Sequence, residues 1–142
     1  MSDEMILEDG RQWYAANWVV GSVLNGISRE LSEIGADPIF CEWLHDRSSR
    51  CGGCIGFDVR GISQQHRELF YAGARRAFIR LINEGPNNWK DPSYYPSYVK
   101  KFEQLLTMKE HIDRGELPES LNDFPEAIEF DGQLMDLTDR WN

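Results

Sequence analysis

The chain has 142 residues, a hydrophobic fraction of 41% with five Trp, five Tyr and seven Phe, and a formal net charge of -9. Such a chain can bury a core without disulfides or metal, and its aromatic content argues against intrinsic disorder. The negative charge disfavours nucleic acid phosphates and anionic membranes and favours a basic protein partner, with solubility alone as the plainer explanation.

The N-terminus and the cysteines indicate a compartment. The first ten residues, MSDEMILEDG, are acidic and lack the basic start and apolar stretch of a secretory signal. Three cysteines, an odd number, predict thiols or metal ligands rather than disulfides. We therefore predict a cytoplasmic protein with no membrane contact, a monomer or small homo-oligomer when alone.

Residues 1–9 are predicted to form a loose arm, followed by a helix over residues 10–34. Asp9 is a candidate N-cap of this helix and Gly35 a candidate stop. Two glycines inside it each weaken a helix by about 1 kcal/mol relative to Ala, which predicts close packing against a neighbouring helix. One face carries apolar residues at helical spacing: Trp13, Val20, Leu24, Ile27, Leu31 and Ile34.

The next element begins at Asp37-Pro38, a helix-start signal in which Asp caps and Pro fits the first turn. A short helix over residues 38–46 is predicted to direct Ile39, Phe40, Trp43 and Leu44 inward. Residues 47–62 hold four Gly and two Ser, so we predict a Gly-rich loop with one short extended piece at residues 55–59.

The stretch over residues 58–85 is predicted to contain the central helix, with Ser63 as its N-cap and Gly85 as its stop. Its apolar face covers more than half of its circumference, so other elements must pack around it. The small residues in this face predict a close approach of a neighbouring helix. The face consists of Leu69, Phe70, Gly73, Ala74, Ala77, Phe78, Leu81 and Ile82.

Residues 85–97 are predicted to form a loop that its aromatic side chains, Trp89, Tyr94 and Tyr95, pin to the body. A last helix is predicted to begin at Pro96 or Ser97 and to end before Gly115. Its apolar face consists of Val99, Phe102, Leu105, Leu106 and Ile112.

Residues 116–142 hold eight acidic residues against one Arg, with apolar residues spread among them. This segment is too apolar for a disordered acidic tail, so we predict that it packs on the body with its acids outward. The predicted fold class is mainly α: a single-domain helical bundle over residues 1–142. It has four to five helices, a Gly-rich loop and room for a short strand pair.

A zinc site is the sharpest chemical hypothesis. Cys41 and His45 are four residues apart on a predicted helix and share a face, and Cys51 and Cys54 have the C-x2-C spacing that lets two thiolates bind one ion. Together they form a Cys3His set suited to structural zinc. Alternatively, Cys41 lies in the core, His45 on the surface, and the other two are free thiols. No other cofactor is predicted.

No catalytic residues are predicted, so we do not expect an enzyme. His66 and His111 lie at helix ends, and the sequence brings neither beside a Ser or Cys nucleophile. No phosphate-binding glycine pattern is present. Three arginines of the central helix, Arg75, Arg76 and Arg80, are predicted to pair with the acidic C-terminal segment or the N-terminal arm, with a phosphate site as the alternative.

Acidic residues with aromatic residues between them suit a protein that docks on a basic surface, because the charge steers the encounter and an aromatic side chain anchors it. A solvated acidic face is the alternative. The predicted partner-binding residues are Glu119, Asp123, Glu126, Asp131, Asp136 and Trp141.

The block CGGCIGFDVRGISQQHRELFYAGARRAF, together with the size and acidity of the chain, resembles bacterial immunity proteins. These are small cytoplasmic inhibitors that accompany contact-dependent and secretion-system toxins. The resemblance covers about a third of the chain. It implies stoichiometric blocking of a toxin domain, often a nuclease, in which carboxylates stand in for phosphates in the toxin's basic cleft.

Three hypotheses for the function follow. The first is an immunity-type inhibitor that binds a basic toxin domain and covers its active site. The second is a small regulatory or adaptor domain stabilised by zinc. The third is a phage-encoded inhibitor of a host defence protein, since these proteins are also small and acidic.

Overall fold

The computed structural model describes residues 2–49 and 57–117. This part of the chain is mainly α, as predicted. It contains four α-helices: α1 (Asn17–Glu33), α2 (Pro38–Ser49), α3 (Gln64–Glu84) and α4 (Tyr95–Asp113). Three strands form one small sheet: β1 (Ser2–Ile6), β2 (Gln12–Ala16) and β3 (Phe57–Asp58). Within these ranges, no helix is both long and apolar enough to span a membrane.

The sheet has β1 in its centre, antiparallel to β2 and parallel to β3. Met5 is opposite Trp13 on one side and Phe57 on the other. The strand β3 lies inside the segment that was predicted to hold a short extended piece. Its pairing with β1 joins the N-terminus to the segment that leads into α3.

The loose arm predicted for residues 1–9 is wrong, because β1 begins there and its inward side chains are buried. Met5 and Leu7 are fully buried, whereas Glu4, Ile6 and Glu8 are partly exposed, which is the alternation of a strand with one covered face. A tight turn joins β1 to β2, with Gly10 at a φ of 90°. Asp9 does not cap a helix. Its carboxylate accepts hydrogen bonds from the backbone and side chain of Arg11.

The helix predicted over residues 10–34 is shorter than expected at its N-terminus, because residues 12–16 form β2. Trp13 is seven residues before Val20, a helical spacing, yet it lies on the strand. Its side chain is buried, and its Nε1–H donates to the Lys101 carbonyl oxygen at 3.0 Å. The predicted C-terminal stop is confirmed, since Gly35 follows α1 with a φ of 69°.

Helix α3 has the predicted ends. The Ser63 hydroxyl accepts a hydrogen bond from the His66 backbone N–H, and Gly85 has a φ of 65° after the last turn. Its close packing with α1 is also confirmed. A Cβ added at Gly73 would lie 2.9 Å from Ile27 Cγ2 and 3.0 Å from Leu31 Cγ, so only glycine fits there.

Helix α2 runs three residues beyond its predicted end, to Ser49. The Asp37 carboxylate caps it as predicted and accepts a hydrogen bond from the Phe40 backbone N–H at 3.1 Å. Phe40, Trp43 and Leu44 are buried as expected, but Ile39 is 51% exposed. The buried residues of the sheet and the four helices form one hydrophobic cluster.

Candidate functional site

An open cleft of about 470 Å³ lies where α1, the C-terminal end of α3 and the N-terminal half of α4 meet. Its floor includes Gly26 and Ala77, and a Cβ added at Gly26 would be 3.5 Å from the Ala77 Cβ. Small residues at this crossing leave space that larger side chains border. The aromatic residues that line it are Trp18, Trp89, Tyr98 and Phe102.

The wall on α1 is a single stripe. Trp18, Ser22, Asn25 and Arg29 are separated by four, three and four residues, so their side chains follow one another along the same exposed face of the helix. The stripe places an indole at one end and a guanidinium at the other. Between them lie a hydroxyl and an amide, both of which can donate hydrogen bonds.

The aromatic residues form a connected group. Trp18 stacks on Tyr98 with ring centroids 5.6 Å apart, and it meets Tyr94 edge-on at 5.8 Å. Trp89 contacts Tyr98 at 5.3 Å and Tyr95 at 5.5 Å. Trp18 is 44% exposed and Tyr94 55% exposed, so solvent reaches this group although its inner members are buried.

The predicted pinning of the loop between α3 and α4 is confirmed for two of the three aromatic residues. Trp89 packs against the core, and the Tyr95 hydroxyl donates to the Leu81 carbonyl oxygen at 2.9 Å. Tyr94 instead projects into solvent beside Trp18. The loop therefore holds one wall of the cleft at a fixed position on α3.

The arginines near the cleft differ in their pairing. Arg80 forms salt bridges with Glu30, Glu33 and Glu84, and its hydrogen bond with Glu30 is the main reason that its pKa is raised. Glu30 also pairs with Arg76 at 3.5 Å. In the described part of the chain, Arg76 and Arg80 therefore pair with acidic residues of α1 and α3 rather than with the N-terminal arm, while residues 118–142 of the predicted C-terminal partner lie outside the described residues.

Arg29 is outside this network. It is exposed, and no hydrogen bond or ion pair joins it to any residue within 2–49 or 57–117. Burial raises the pKa of the Tyr98 hydroxyl, and the positive charge of Arg29 opposes that shift. Arg29 is thus close enough to the aromatic wall to act on it electrostatically, and it is exposed to solvent.

The predicted zinc ligands are described only in part. Cys41 and His45 line the same groove of about 560 Å³ between α1 and α2, as their spacing predicted. Burial raises the pKa of the Cys41 thiol, which donates a hydrogen bond to the Ala36 carbonyl oxygen at 3.1 Å. The other two, Cys51 and Cys54, lie outside the described residues.

No group of three or more His, Cys, Asp or Glu suited to a metal ion occurs within the described ranges. His45 Nδ1 lies 3.0 Å from Asn25 Oδ1, a contact between α2 and the stripe on α1. The predicted partner-binding residues, Glu119, Asp123, Glu126, Asp131, Asp136 and Trp141, also lie outside the described residues.

His66 does lie beside a serine, contrary to the expectation from the sequence. Its Nδ1 is 2.7 Å from Ser63 Oγ, and its Nε2 is 2.8 Å from Asp37 Oδ2. The spacing S-x-x-H at a helix start could have predicted the first contact, but Asp37 is 29 residues away in sequence. Ser63 and Asp37 are the N-caps of α3 and α2, so His66 links the two helix starts.

This link predicts a dependence of stability on pH. Burial alone would raise the pKa of Asp37, but hydrogen bonds from His66 and from the Phe40 backbone N–H outweigh it and lower the pKa. The stabilisation is therefore complete above the unfolded-state value of about 3.9 and is lost as the pH falls through the lower folded-state pKa. We expect Asp37→Asn to lower the free energy of unfolding by about 0.5–1 kcal/mol near neutral pH, a value reduced by solvent screening.

Urea unfolding of Asp37→Asn and of the parent protein at neutral and at acidic pH would check this. The difference between them should shrink below about pH 3.9. Glu103→Gln, which removes an exposed carboxylate of α4, is the control and should change stability little at either pH. A difference that is the same at both pH values would contradict the proposed link.

Comparisons with protein-family models, with curated proteins and with solved structures found no match to this chain. Its function must therefore be inferred from the side chains that the fold brings together.

The cleft was not predicted from the sequence. A partial signal existed, because Trp18 lies off the buried face of α1 and begins a regular stripe that ends at Arg29. The opposite walls come from residues about 60 to 80 positions later in the chain, such as Arg80 and Tyr98. No local sequence pattern predicts that these segments come together.

Proposed function

We propose that this protein is an immunity-type inhibitor, which binds a cognate toxin domain in the bacterial cytoplasm and blocks it by covering its active site. A nuclease domain is the proposed target, because a nuclease has a basic substrate-binding cleft that attracts an acidic inhibitor. The proposal treats the chain as a single-domain binding module without catalytic residues of its own.

The observation that supports this proposal is the exposed aromatic group of the cleft. Residues that dominate the energy of protein interfaces are mostly Trp, Tyr and Arg, held in pockets that exclude water on binding. Trp18 and Arg29 are both exposed and line the concave surface of the cleft, and Tyr94 is exposed beside Trp18. Such a surface is suited to take the side chains of a partner protein.

The charge of the chain would act at longer range. The net charge of -9 would speed the encounter with a basic toxin domain, and that effect weakens as salt screens it. The acidic residues proposed earlier, Glu119, Asp123, Glu126, Asp131 and Asp136, would supply much of it, with Trp141 as an additional anchor.

The test is capture of the partner from native cells. Tagged parent protein should retain one basic partner at fixed stoichiometry at low salt, as measured by native mass spectrometry of the eluate. Trp18→Ala should weaken binding of that partner about 30-fold or more, as expected for a central aromatic anchor. Ile39→Ala removes an equally exposed apolar side chain on α2 and is the matched control.

Two further variants locate the acidic contacts. Asp123→Lys combined with Glu126→Lys should weaken the complex if the C-terminal segment contacts the partner. Equal binding by Trp18→Ala, by this double variant and by the parent would reject both proposed contact regions. Failure of the parent protein to retain any partner would reject the proposed function.

A zinc-stabilised regulatory or adaptor domain is the second candidate function. The observation that favours it is that Cys41 and His45 line one groove. The same native mass spectra distinguish this candidate, because a lone chain carrying the mass of one zinc ion would favour it over the inhibitor.

A further inference from the structure

We infer that the cleft binds two adjacent side chains of a partner protein. One is large and apolar or aromatic, and the other is acidic. This inference rests on the proposed function and names the chemistry of the segment that the partner would present. The ring would pack among Trp18, Trp89 and Tyr98, and the carboxylate would lie on Arg29.

Within the described part of the chain, the hydrogen-bonding capacity of Arg29 is unused. A guanidinium presents five N–H donors in a planar fork that matches a carboxylate. Arg29 makes no ion pair within the described part of the chain, whereas Arg80 on the opposite wall is bound by three carboxylates. Of these two arginines, Arg29 is therefore the one able to receive an acidic group.

The two sides of the cleft differ in the polar groups that they present. Glu84 also lines it, on the α3 side, and would repel a ligand carboxylate placed there. On the α1 side, Ser22 and Asn25 stand between Trp18 and Arg29 and can donate further hydrogen bonds. The acidic group is therefore assigned to the α1 wall, and the ring to the aromatic wall.

The orientation of the rings in the aromatic wall determines where an incoming ring can pack. Trp18 and Tyr98 already stack on each other, so a ring does not insert between them. Trp89 is tilted by 56° from Tyr98, and their contact leaves an angled surface that an incoming ring can meet edge-on. The volume of about 470 Å³ accommodates one large side chain with its neighbour.

A pair of small probes tests this without the partner. Indole-3-propionate and its neutral amide, indole-3-propionamide, share shape and ring but differ in the carboxylate. We expect nuclear magnetic resonance titrations to shift the Trp18 and Trp89 indole N–H signals with both probes, and the propionate to bind about fivefold more tightly, the gain of one exposed ion pair.

Arg29→Gln should remove the preference for the propionate and leave the binding of the amide unchanged. Arg114→Gln removes another exposed arginine, directly after α4, and should keep the preference. Equal binding of the two probes by the parent, or no shift of either indole signal, would overturn the inference. Tighter binding of adenosine monophosphate than of the propionate would overturn it in favour of a nucleotide ligand.

These results are separable from the proposed function. If the parent captures a partner and Trp18→Ala loses it, but Arg29→Gln binds it normally, the inhibitor proposal stands and the assignment of the acidic group fails. If the probes bind as expected but no partner is captured, the cleft chemistry stands and the inhibitor proposal fails.

Discussion

Replacement of both Met5 and Leu7 by alanine is expected to leave most of the chain unfolded under native conditions. Both side chains are fully buried, Met5 on the central strand of the sheet and Leu7 directly after the end of that strand. Truncating one such residue to alanine costs about 2–5 kcal/mol, so truncating both costs about 4–10 kcal/mol. That loss is similar to the whole stability of a typical domain, about 5–15 kcal/mol. Urea unfolding followed by Trp fluorescence would measure it.

Ile6→Ala provides the matched control on the same strand. Ile6 lies between the two buried residues but is only partly buried, since its side chain points to the other face of the sheet. Its truncation should cost about 1–2 kcal/mol, in proportion to the smaller apolar area that it removes from water. If the double variant is no less stable than Ile6→Ala, then β1 is not docked and residues 1–9 are a loose arm after all.

Gly73→Val is expected to lower the free energy of unfolding by about 2–3 kcal/mol. The new Cβ would meet Ile27 Cγ2 at 2.9 Å and the Ile27 carbonyl oxygen at 3.3 Å. Neither atom is the free end of a flexible side chain, so α1 and α3 would have to move apart. Valine is a better helix former than glycine by only a few tenths of a kcal/mol, which does not offset the clash.

Gly26→Ala is the control for Gly73→Val, because it also adds carbon to the interface between α1 and α3. Its Cβ would be 3.5 Å from the Ala77 Cβ, an ordinary contact, so the variant should gain about 0.5–1 kcal/mol from helix propensity. Thermal and urea unfolding would compare the two. A Gly73→Val protein as stable as the parent would show that the helices do not approach closely at Gly73.

Whether a feature was predicted correctly depended on how far apart in sequence the residues are that form it. Helix ends were predicted well, because a cap is a contact between neighbours in sequence, as at Ser63 and Asp37. The face of α3 was also predictable, since Gly73 and Ala77 are one turn apart on it. The start of α1 was predicted wrongly, because Trp13 fits a helical spacing by coincidence while the turn at Gly10 directs it into a strand.

The candidate site shows more strongly the same division between features set by sequence neighbours and features set by residues far apart in the chain. The stripe from Trp18 to Arg29 is readable in the sequence as a helical periodicity. The stripe becomes a wall of the cleft only where Trp89 and Tyr98 approach it, and Tyr98 does so because α4 packs beside α1. The pairing of Arg80 with Glu30, which distinguishes Arg80 from Arg29 within the described part of the chain, joins residues 50 positions apart.

By itself, the sequence determined a mainly α protein, both ends of α3, the end of α1 and the start of α2, and the small residues through which α1 and α3 touch. These follow from hydrogen bonds and contacts that span one or two helical turns. Only the tertiary structure decided that the N-terminal segment is the central strand of a sheet and that aromatic residues from three segments line one cleft with Arg29. Such features depend on contacts between residues far apart in the chain, whose partners no local periodicity specifies.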